Sequence, residues 1–446
     1  MPHLGHIDAD STLCQNARTN IKRKIGVKMR PVQILSVLLV QMLTAYAETV
    51  ASETLIAKID AAWRQDAPIL SPDCKRVAYV SEKNAKAWVV LDGKEQARFE
   101  QIPAASLVFS LDSRHLAYIA GTKRKGFIVI DGKKQKAYDN VGTIPVFSPD
   151  SKRVTYGVRI GDKHCIVVDE KEGQYYDGVF DGTLVFSPDS KHFAYGAKRD
   201  SKAFLVVDGK EQQEHDAIGN GSVRFSPDSR SIAYGAVSER KQFVVVDWKA
   251  QKAYNAIRPG GPIFSPDGKR VAYVAVEGTS QKHFVVINGE EGNRFDDIPG
   301  STLVFSPNSK RIAYLVLKEG KGYVVVDGKE GGGNDGIIPG SLVFSPDSQR
   351  IAYAAKLGNK GAVVVDGQPG RICDGIGNGS VAFSPDSKHI VYVAVDNRSF
   401  FVVVDEEEPV RRYDLIFGRM LFRSPDVLQY VAMKGRDIYV VEQSLK

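Results

Sequence analysis

Apolar and polar positions follow a pattern that repeats every 38 to 41 residues along most of this chain. In the copy 341–380, the apolar run Leu342-Val343-Phe344 is followed by a polar turn and then by the alternating run Arg350-Ile351-Ala352-Tyr353. A third run, Ala362-Val363-Val364-Val365, is apolar at every position. The first two runs predict antiparallel β-strands, and the third predicts a strand that is covered on both faces.

The turn between the first two strands reads Ser-Pro-Asp-Ser or a close variant. Proline presets φ for the second position of a type I turn, and serine and aspartate oxygens accept local backbone N–H groups. We therefore interpret the recurrent aspartate as a turn former rather than a metal ligand. The third strand ends in Asp-Gly in five of the ten copies, as at Asp366-Gly367. This pair suits the positive φ angles of a tight hairpin and predicts a fourth strand.

The turn occurs ten times, and its first residues are Ser71, Ser110, Ser148, Ser187, Ser226, Ser265, Ser306, Ser345, Ser384 and Ser424. Four short antiparallel strands per repeat predict an all-β fold, a β-propeller of about ten four-stranded blades. One closed ring is favoured because the copies follow one another without a linker. Two five-bladed propellers are the alternative.

Two features indicate how the blades pack and how the ring closes. A tyrosine stands in the second strand of every copy, as at Tyr353, usually after a small residue such as Ala352. A large ring on one face and a small side chain on the other predict a layer between blades. The last copy stops after its third strand, near Tyr439-Val440-Val441. The segment Thr54 to Asp60 is therefore predicted to supply its outer strand and to cover the open edge.

The repeat resembles the TolB-type, WD40-like β-propeller family, in which a Ser-Pro-Asp-Gly/Ser turn precedes a strand of the Arg-Ile-Ala-Tyr kind. The motif stands here as Ser265-Pro266-Asp267-Gly268 followed by Lys269-Arg270-Val271-Ala272-Tyr273, and the resemblance covers about residues 55 to 446. It implies the propeller fold. The family's additional α/β domain has no place in this chain, so the lipoprotein partner of that family is not carried over.

The N-terminal residues do not match the repeat. Residues 1–28 are polar and are interpreted as a non-native or disordered leader. Residues 29–47 combine a basic start, an apolar segment from Val32 to Leu43 and the tripeptide Ala45-Tyr46-Ala47, which together predict a signal peptide. Residues 48–446 then form the propeller. The expected localisation is periplasmic or secreted, without a transmembrane segment once the signal is removed.

Charge and cysteine content exclude several classes of protein. Without residues 1–47 the chain has 54 basic and 51 acidic residues, a formal charge of +3. A nucleic-acid-binding domain would be strongly basic, so none is expected. The remaining cysteines, Cys74, Cys165 and Cys373, stand at unrelated places in the repeat and predict neither a disulfide framework nor a zinc site.

No catalytic motif accompanies the repeats: Gly-x-Ser-x-Gly is absent, and the histidines have no metal-ligand spacing. The hypothesis is an exported, non-enzymatic platform for binding or scaffolding, with no catalytic residues, metal or cofactor. The alternative is a propeller enzyme of the glycosidase, lyase or lactonase type with an axial site. Its candidate axial residues are Arg224, Arg258, Arg419 and Arg423, which differ between blades.

Cations recur in the loops that join second to third strands, which propeller topology places on one face. A ring of like charge concentrates an anionic partner, although solvated lysines at hairpin tips are the simpler interpretation. The expected partner is a protein or an anionic polymer of the cell envelope. The candidate ligand-binding residues are Lys123, Arg124, Lys125, Lys198, Arg199, Arg240 and Lys241.

Overall fold

The computed structural model describes residues 51–446, apart from 64–67, 279, 300–301, 408–410 and 446 and the side chains of 418–419. The predicted leader and signal peptide lie outside these residues. The fold is a ten-bladed β-propeller, so the prediction of one ring is confirmed. No helix in the described part of the chain is long and apolar enough to cross a membrane.

The long second and third strands of each blade form its central hairpin. The second strands are Val77–Lys83, Leu116–Gly121, Val154–Ile160, Phe193–Arg199, Ile232–Ser238, Val271–Val276, Ile312–Lys318, Ile351–Leu357, Ile390–Asp396 and Val427–Lys434. The third strands are Lys86–Leu91, Gly126–Ile130, Lys163–Val168, Lys202–Val207, Lys241–Val246, His283–Ile287, Lys321–Val326, Lys360–Val365, Ser399–Val404 and Asp437–Ser444. In blade eight, Tyr353 lies opposite Val364.

The first strand of most blades is interrupted, which the repeat pattern did not predict. Its later segments are Ile69–Leu70, Val108–Phe109, Val146–Phe147, Val185–Phe186, Arg224–Phe225, Ile263–Phe264, Val304–Phe305, Val343–Phe344 and Ala382–Phe383. Earlier segments that pair with the same second strand are Asn140–Val141, Gly178–Val179, Ala217–Ile218, Ala256–Ile257, Gly336–Ile337 and Gly375–Ile376. Blade ten has one continuous first strand, Leu415–Ser424.

A serine or threonine hydroxyl spans the interruption. In blade five, Ser222 Oγ donates to the Gly219 carbonyl at 2.6 Å and accepts the Gly235 N–H at 3.0 Å. The hydroxyl thus satisfies backbone groups that the broken ladder would leave unpaired. Gly261 replaces this hydroxyl residue in blade six, where a Cβ would lie 2.8 Å from Ser222 Cα of blade five. The inner loops of these neighbouring blades therefore approach too closely for a side chain.

The fourth strands are mostly short and charged. They are Lys94–Phe99, Lys133–Lys134, Lys171–Glu172, Lys210–His215, Lys249–Ala250, Glu290–Glu291, Lys329–Glu330 and Gln368–Pro369, and Ala51–Lys58 completes blade ten. Short charged edges discourage pairing with another chain. A 3₁₀ turn, Ala104–Ser106, precedes the first strand of blade two.

Tyrosines fill the layers between blades, as predicted. The ten second-strand tyrosines are each at most 5% exposed: Tyr79, Tyr118, Tyr156, Tyr195, Tyr234, Tyr273, Tyr314, Tyr353, Tyr392 and Tyr430. Tyr353 packs with Ala313 and Leu315 of blade seven, whereas Ala352 packs with Tyr392 of blade nine. Each second strand therefore serves two layers, with its large side chain on one side and its small one on the other.

The N-terminal strand closes the ring, as the sequence predicted. Ala51–Lys58 pairs with Asp437–Ser444 in the sheet of blade ten. Glu53 accepts hydrogen bonds from Tyr413 Oη at 2.8 Å and Lys434 Nζ at 3.0 Å, and its carboxylate lies 3.2 Å from the Arg411 guanidinium. Burial alone would raise the pKa of Glu53, but these hydrogen bonds and the charges of Arg411 and Lys434 lower it on balance. The carboxylate is therefore ionised at neutral pH.

Removing the hydroxyl of Tyr118 and removing that of Tyr413 should affect the free energy of unfolding differently. Tyr118 Oη is buried without a hydrogen-bond partner among the described residues, whereas Tyr413 Oη donates to a carboxylate. Tyr118→Phe is expected to leave the free energy of unfolding unchanged or to raise it by about 1 kcal/mol. Tyr413→Phe should lower it by about 2 kcal/mol. Urea unfolding at pH 7 measures both, and equal losses in the two variants would contradict this assignment.

Candidate functional site

The ring has two faces with different chemistry. We call the side with the Ser-Pro-Asp and Asp-Gly turns the turn face. The side with the loops between second and third strands is the hairpin face. Each face carries a set of side chains that joins one blade to the next.

On the turn face, serine hydroxyls link consecutive turns. Ser348 has φ of +66°, and its Oγ accepts the backbone N–H of Asn308 from blade seven at 3.0 Å. The same bond, at 2.9 to 3.0 Å, joins Asp73 to Ser113, Asp112 to Ser151, Asp150 to Ser190, Asp189 to Ser229, Asp267 to Ser309 and Asp347 to Ser387. Gly268 replaces the serine in blade six.

The turn aspartates serve the turn itself, as predicted. In blade eight, Asp347 Oδ1 accepts the Ser345 hydroxyl at 2.5 Å and the Gln349 N–H at 3.0 Å. These hydrogen bonds lower the pKa of the Asp347 carboxyl, the serine bond contributing most. The Asp-Gly aspartates also accept a backbone N–H of their own blade: Asp366, with φ of +50°, accepts the Ile351 N–H through Oδ1 at 2.9 Å. Their conformation confirms the predicted positive-φ hairpin.

On the hairpin face, aspartates link a lysine of their own blade to the hairpin tip of the next blade. Asp177 Oδ1 accepts a hydrogen bond from Lys163 Nζ at 2.5 Å, and its Oδ2 accepts the Asp200 N–H at 2.6 Å. Lysine–aspartate pairs of this kind are Lys125–Asp139, Lys163–Asp177, Lys202–Asp216, Lys282–Asp296 and Lys360–Asp374. The hydrogen bond from lysine is the largest cause that lowers the pKa of Asp139, and it does the same for Asp177.

Three of the seven predicted ligand-binding residues have side-chain partners on this face. Lys125 is paired with Asp139, and Lys241 Nζ donates to Asn255 Oδ1 at 2.8 Å. Arg199 forms a bidentate ion pair with Glu211, with Nη1 2.9 Å from Oε2 and Nη2 2.5 Å from Oε1. A cation in an ion pair offers less charge to a partner, so Lys125 and Arg199 contribute little free positive potential. Lys241 keeps its charge, because its partner is a neutral amide.

The other four side chains are exposed and make no ion pair with any residue that the structure describes: Lys123, Arg124, Lys198 and Arg240. They lie at hairpins of blades two, four and five. In blade three, between them, Arg159 donates to the Gly161 carbonyl of its own hairpin at 3.2 Å. The structure thus places the predicted residues on one face but does not bring them into a single cluster.

Of the candidate axial residues, Arg224, Arg258 and Arg423 each contact other groups of the chain, and the side chain of Arg419 lies outside the described part of the structure. Arg258 Nη2 lies 3.4 Å from Asp297 Oδ1, and His283 Nδ1 lies 2.8 Å from the same oxygen. His283 stands where Gln242 stands in the preceding blade, and both accept a backbone N–H, at 3.1 and 2.9 Å. This shared bond indicates a structural role for the histidine. Arg224 donates to the Val223 carbonyl at 2.8 Å, and burial lowers its pKa.

The cysteines and acidic groups give no metal centre in the described part of the chain, where no three or more His, Cys, Asp or Glu side chains are arranged to hold an ion. Cys74, Cys165 and Cys373 are free and buried. Burial raises the pKa of the Cys165 thiol to about 11, so it is protonated at neutral pH.

Comparisons with known proteins add little beyond the architecture. No family model and no curated protein matches the chain. A crystal structure of a eukaryotic initiation factor is similar over 77% of this chain and 96% of its own, at 13% identity and a TM-score of 0.46. The Dos1 propeller is similar over 76% and 92%, at 13% identity and a TM-score of 0.37.

TolB from Acinetobacter baumannii is similar over 66% of this chain and 80% of its own, at 12% identity and a TM-score of 0.28. Identities of this size concern the fold alone, so the architecture is assigned from the ten sheets and their packing. On that basis, the propeller fold implied by the resemblance to TolB-type repeats is confirmed. The chain is a ten-bladed β-propeller built of diverged copies of one repeat.

Proposed function

We propose that this protein is an exported, non-enzymatic platform of the cell envelope, built of TolB-type repeats, that binds a protein partner through its hairpin face. The observation that carries the proposal is that some charged groups of this face link the blades while others are exposed without an ion pair. Aspartate–lysine links join the blades, while Lys123, Arg124, Lys198 and Arg240 extend from the hairpins without ion pairs to described residues. A rigid frame with exposed cations favours acidic partners and loses little entropy on binding.

The recurrent carboxylates support a structural rather than a catalytic role. A general acid or base needs a pKa near the working pH. Hydrogen bonds hold the pKa of Asp112, Asp189 and Asp347 below the ordinary aspartate value, and the serine bond is the first cause in each case. The same arrangement recurs in most blades, whereas catalysis needs groups that differ around the axis.

Pull-down from an envelope extract tests the proposal with two matched variants of the mature chain, residues 48–446. One variant replaces the four unpaired cations by serine: Lys123, Arg124, Lys198 and Arg240. The control replaces the two ion-paired residues by serine: Lys125 and Arg199. We expect the four-site variant to lose most of the captured partner and the control to retain more of it. Capture by the wild type should also fall as salt rises.

Two results would refute the proposal. Equal capture by the wild type and the four-site variant would show that these cations are not the binding surface. Turnover of a polysaccharide or lactone that one axial substitution abolishes would favour the enzyme.

Export is tested separately by N-terminal sequencing of protein from the periplasm or medium, which should begin at Glu48. An anionic polymer as ligand would appear as salt-sensitive capture that protease treatment of the extract does not remove.

A further inference from the structure

Several blades seat an arginine side chain against the next blade on the turn face. In blade one, Arg76 Nε donates to Asp92 Oδ2 at 2.9 Å. The guanidinium carbon of Arg76 lies 5.6 Å from the centre of the Phe109 ring in blade two. Arg76 Nη1 also donates to the carbonyls of Ser113 and Arg114, at 3.3 and 2.9 Å. We call the turn carboxylate, the phenylalanine ring and the two carbonyls the arginine seat.

The ion pair and the ring contact of the seat recur in blades three, seven and eight, and the two carbonyl bonds recur in blade seven. Its ion pairs, at 2.9 to 3.0 Å, are Arg153–Asp169, Arg311–Asp327 and Arg350–Asp366. Its rings, 5.2 to 5.5 Å from the guanidinium carbon, are Phe186, Phe344 and Phe383. Arg311 donates to the Ser348 and Gln349 carbonyls, both at 3.1 Å. The geometry is therefore a standard guanidinium site of this fold.

Blade five keeps the seat but not the arginine. Ser231 stands at the arginine position, and Asp247 retains the turn, its Oδ1 accepting the Ile232 N–H at 2.9 Å. Asp247 forms no ion pair with any residue that the structure describes. A groove of about 310 Å³ opens here, and its lining includes Ser231, Asp247, Phe264, Gly268 and Lys269. These residues are the counterparts of the carboxylate, ring and carbonyl components of the seat.

Two departures from the repeat accompany this groove: Gly268 lines it, and Trp248 follows its lining residue Asp247 in the chain. Gly268 replaces the serine that elsewhere links the turns, which removes a side chain from one wall. Trp248 follows Asp247 with φ of +68° and is 44% exposed, whereas glycine holds that turn position in six other blades. A large residue at positive φ costs about 1–3 kcal/mol, and such strain is concentrated at functional sites. Exposed tryptophans beside a pocket are common anchors for protein partners.

We propose that the groove between blades five and six on the turn face binds an arginine side chain of a partner polypeptide. The guanidinium would pair with Asp247, stack on Phe264 and donate to the Gly268 and Lys269 carbonyls, as arginines of this chain do in the sister seats. Arginine fits better than lysine because its planar fork reaches a carboxylate and carbonyls while stacking on a ring. This inference rests on the proposed binding function and adds a second surface to it.

The tripeptide acetyl-Gly-Arg-Gly-amide tests the site directly, by titration into the mature protein with tryptophan fluorescence or ligand-observed NMR as the signal. We expect saturable binding with Kd on the order of 1 mM, as for a single charged side chain. Asp247→Asn keeps the turn, since Asn288 accepts the equivalent N–H of Val271 at 2.9 Å in blade six. It should weaken binding about tenfold, because the charge-assisted hydrogen bond is lost.

Ser231→Arg should also abolish most binding, because it fills the seat from within, and Ser231→Ala is its matched control with unchanged affinity. A thermal melt checks folding of Ser231→Arg, and Asp247→Asn decides the result if that variant is unstable. Equal binding of the arginine peptide by wild type, Ser231→Arg and Asp247→Asn overturns the proposal. So does equal binding of a peptide with citrulline in place of arginine. Absence of binding of the arginine peptide up to 10 mM, roughly tenfold above the expected Kd, overturns it as well. The envelope pull-down is independent: a partner captured there without peptide binding would refute this site alone.

Discussion

Replacing Ala57 by aspartate is expected to lower the free energy of unfolding by about 4 kcal/mol, because it buries an unpaired charge where the ring closes. Ala57 is 8% exposed in the N-terminal strand and packs in a cluster with Val431 and Ile438 of blade ten and Val77 and Trp88 of blade one. The cluster joins both ends of the ring, so its loss should expose the edge of Asp437–Ser444 as well.

Leu55→Asp is the matched control, since Leu55 lies in the same strand and is 56% exposed. It should change the free energy of unfolding by less than about 0.5 kcal/mol. Urea unfolding followed by circular dichroism measures both variants, and size-exclusion chromatography reports association through the freed edge. If both variants lost equal stability, the strand would contribute only its backbone hydrogen bonds. A stable Ala57→Asp variant would show that the ring does not depend on this closure.

Acid should unfold the ring cooperatively between about pH 4 and pH 2. Aspartates of the Ser-Pro-Asp turns and the lysine-linked aspartates of the hairpin face, such as Asp347 and Asp177, have folded-state pKa values below the ordinary value of 3.8. Hydrogen bonds lower the pKa of Asp386 to about 2. A group whose pKa is lower in the folded state contributes stability above its unfolded pKa and loses it as pH falls through the folded value. Many groups of this kind titrate together, so the effect accumulates around the ring.

A variant with Asp112, Asp189 and Asp347 replaced by asparagine separates this cause from general acid damage. Asparagine already serves in blade seven, where Asn308 accepts the Ser306 hydroxyl at 2.8 Å and the Lys310 N–H at 3.0 Å. The variant should be less stable than the wild type at pH 7 and should lose less of its free energy of unfolding between pH 4 and pH 2, because three of the titrating groups are gone. The two proteins should converge in stability at low pH. A free energy of unfolding that falls with pH equally steeply in both proteins would assign acid unfolding to other groups.

The repeat pattern predicted the skeleton of the fold because local chemistry defines it. Proline and serine in the Ser-Pro-Asp turn fix the first hairpin, and Asp366-Gly367 shows the positive φ angles that the second one needs. The alternation of Ala352 and Tyr353 predicted both packing layers of a blade. The missing outer strand of the last copy predicted closure by the N-terminal segment.

The serine or threonine hydroxyl that spans the interrupted first strand was not predicted, and neither were the hydrogen bonds that link the blades. A serine or threonine three residues before the first-strand phenylalanine, as Ser222 before Phe225, was a visible signal for the bridge. Its role depends on the broken ladder, which an apolar run does not reveal. Lys125 and Arg199 were interpreted as free cations because their carboxylate partners, Asp139 and Glu211, are 14 and 12 residues away along the chain.

The strands, the turns, the tyrosine layers and the number of blades could be predicted because they depend on contacts within one repeat and on its recurrence. Which charges remain available became clear only from the packing of the blades. Asp247 shows the physical reason, because the seat around it needs Phe264, Gly268 and Lys269 from the following blade. Contacts of this kind depend on how two blades are placed against each other, and a repeat pattern gives each blade without giving that placement.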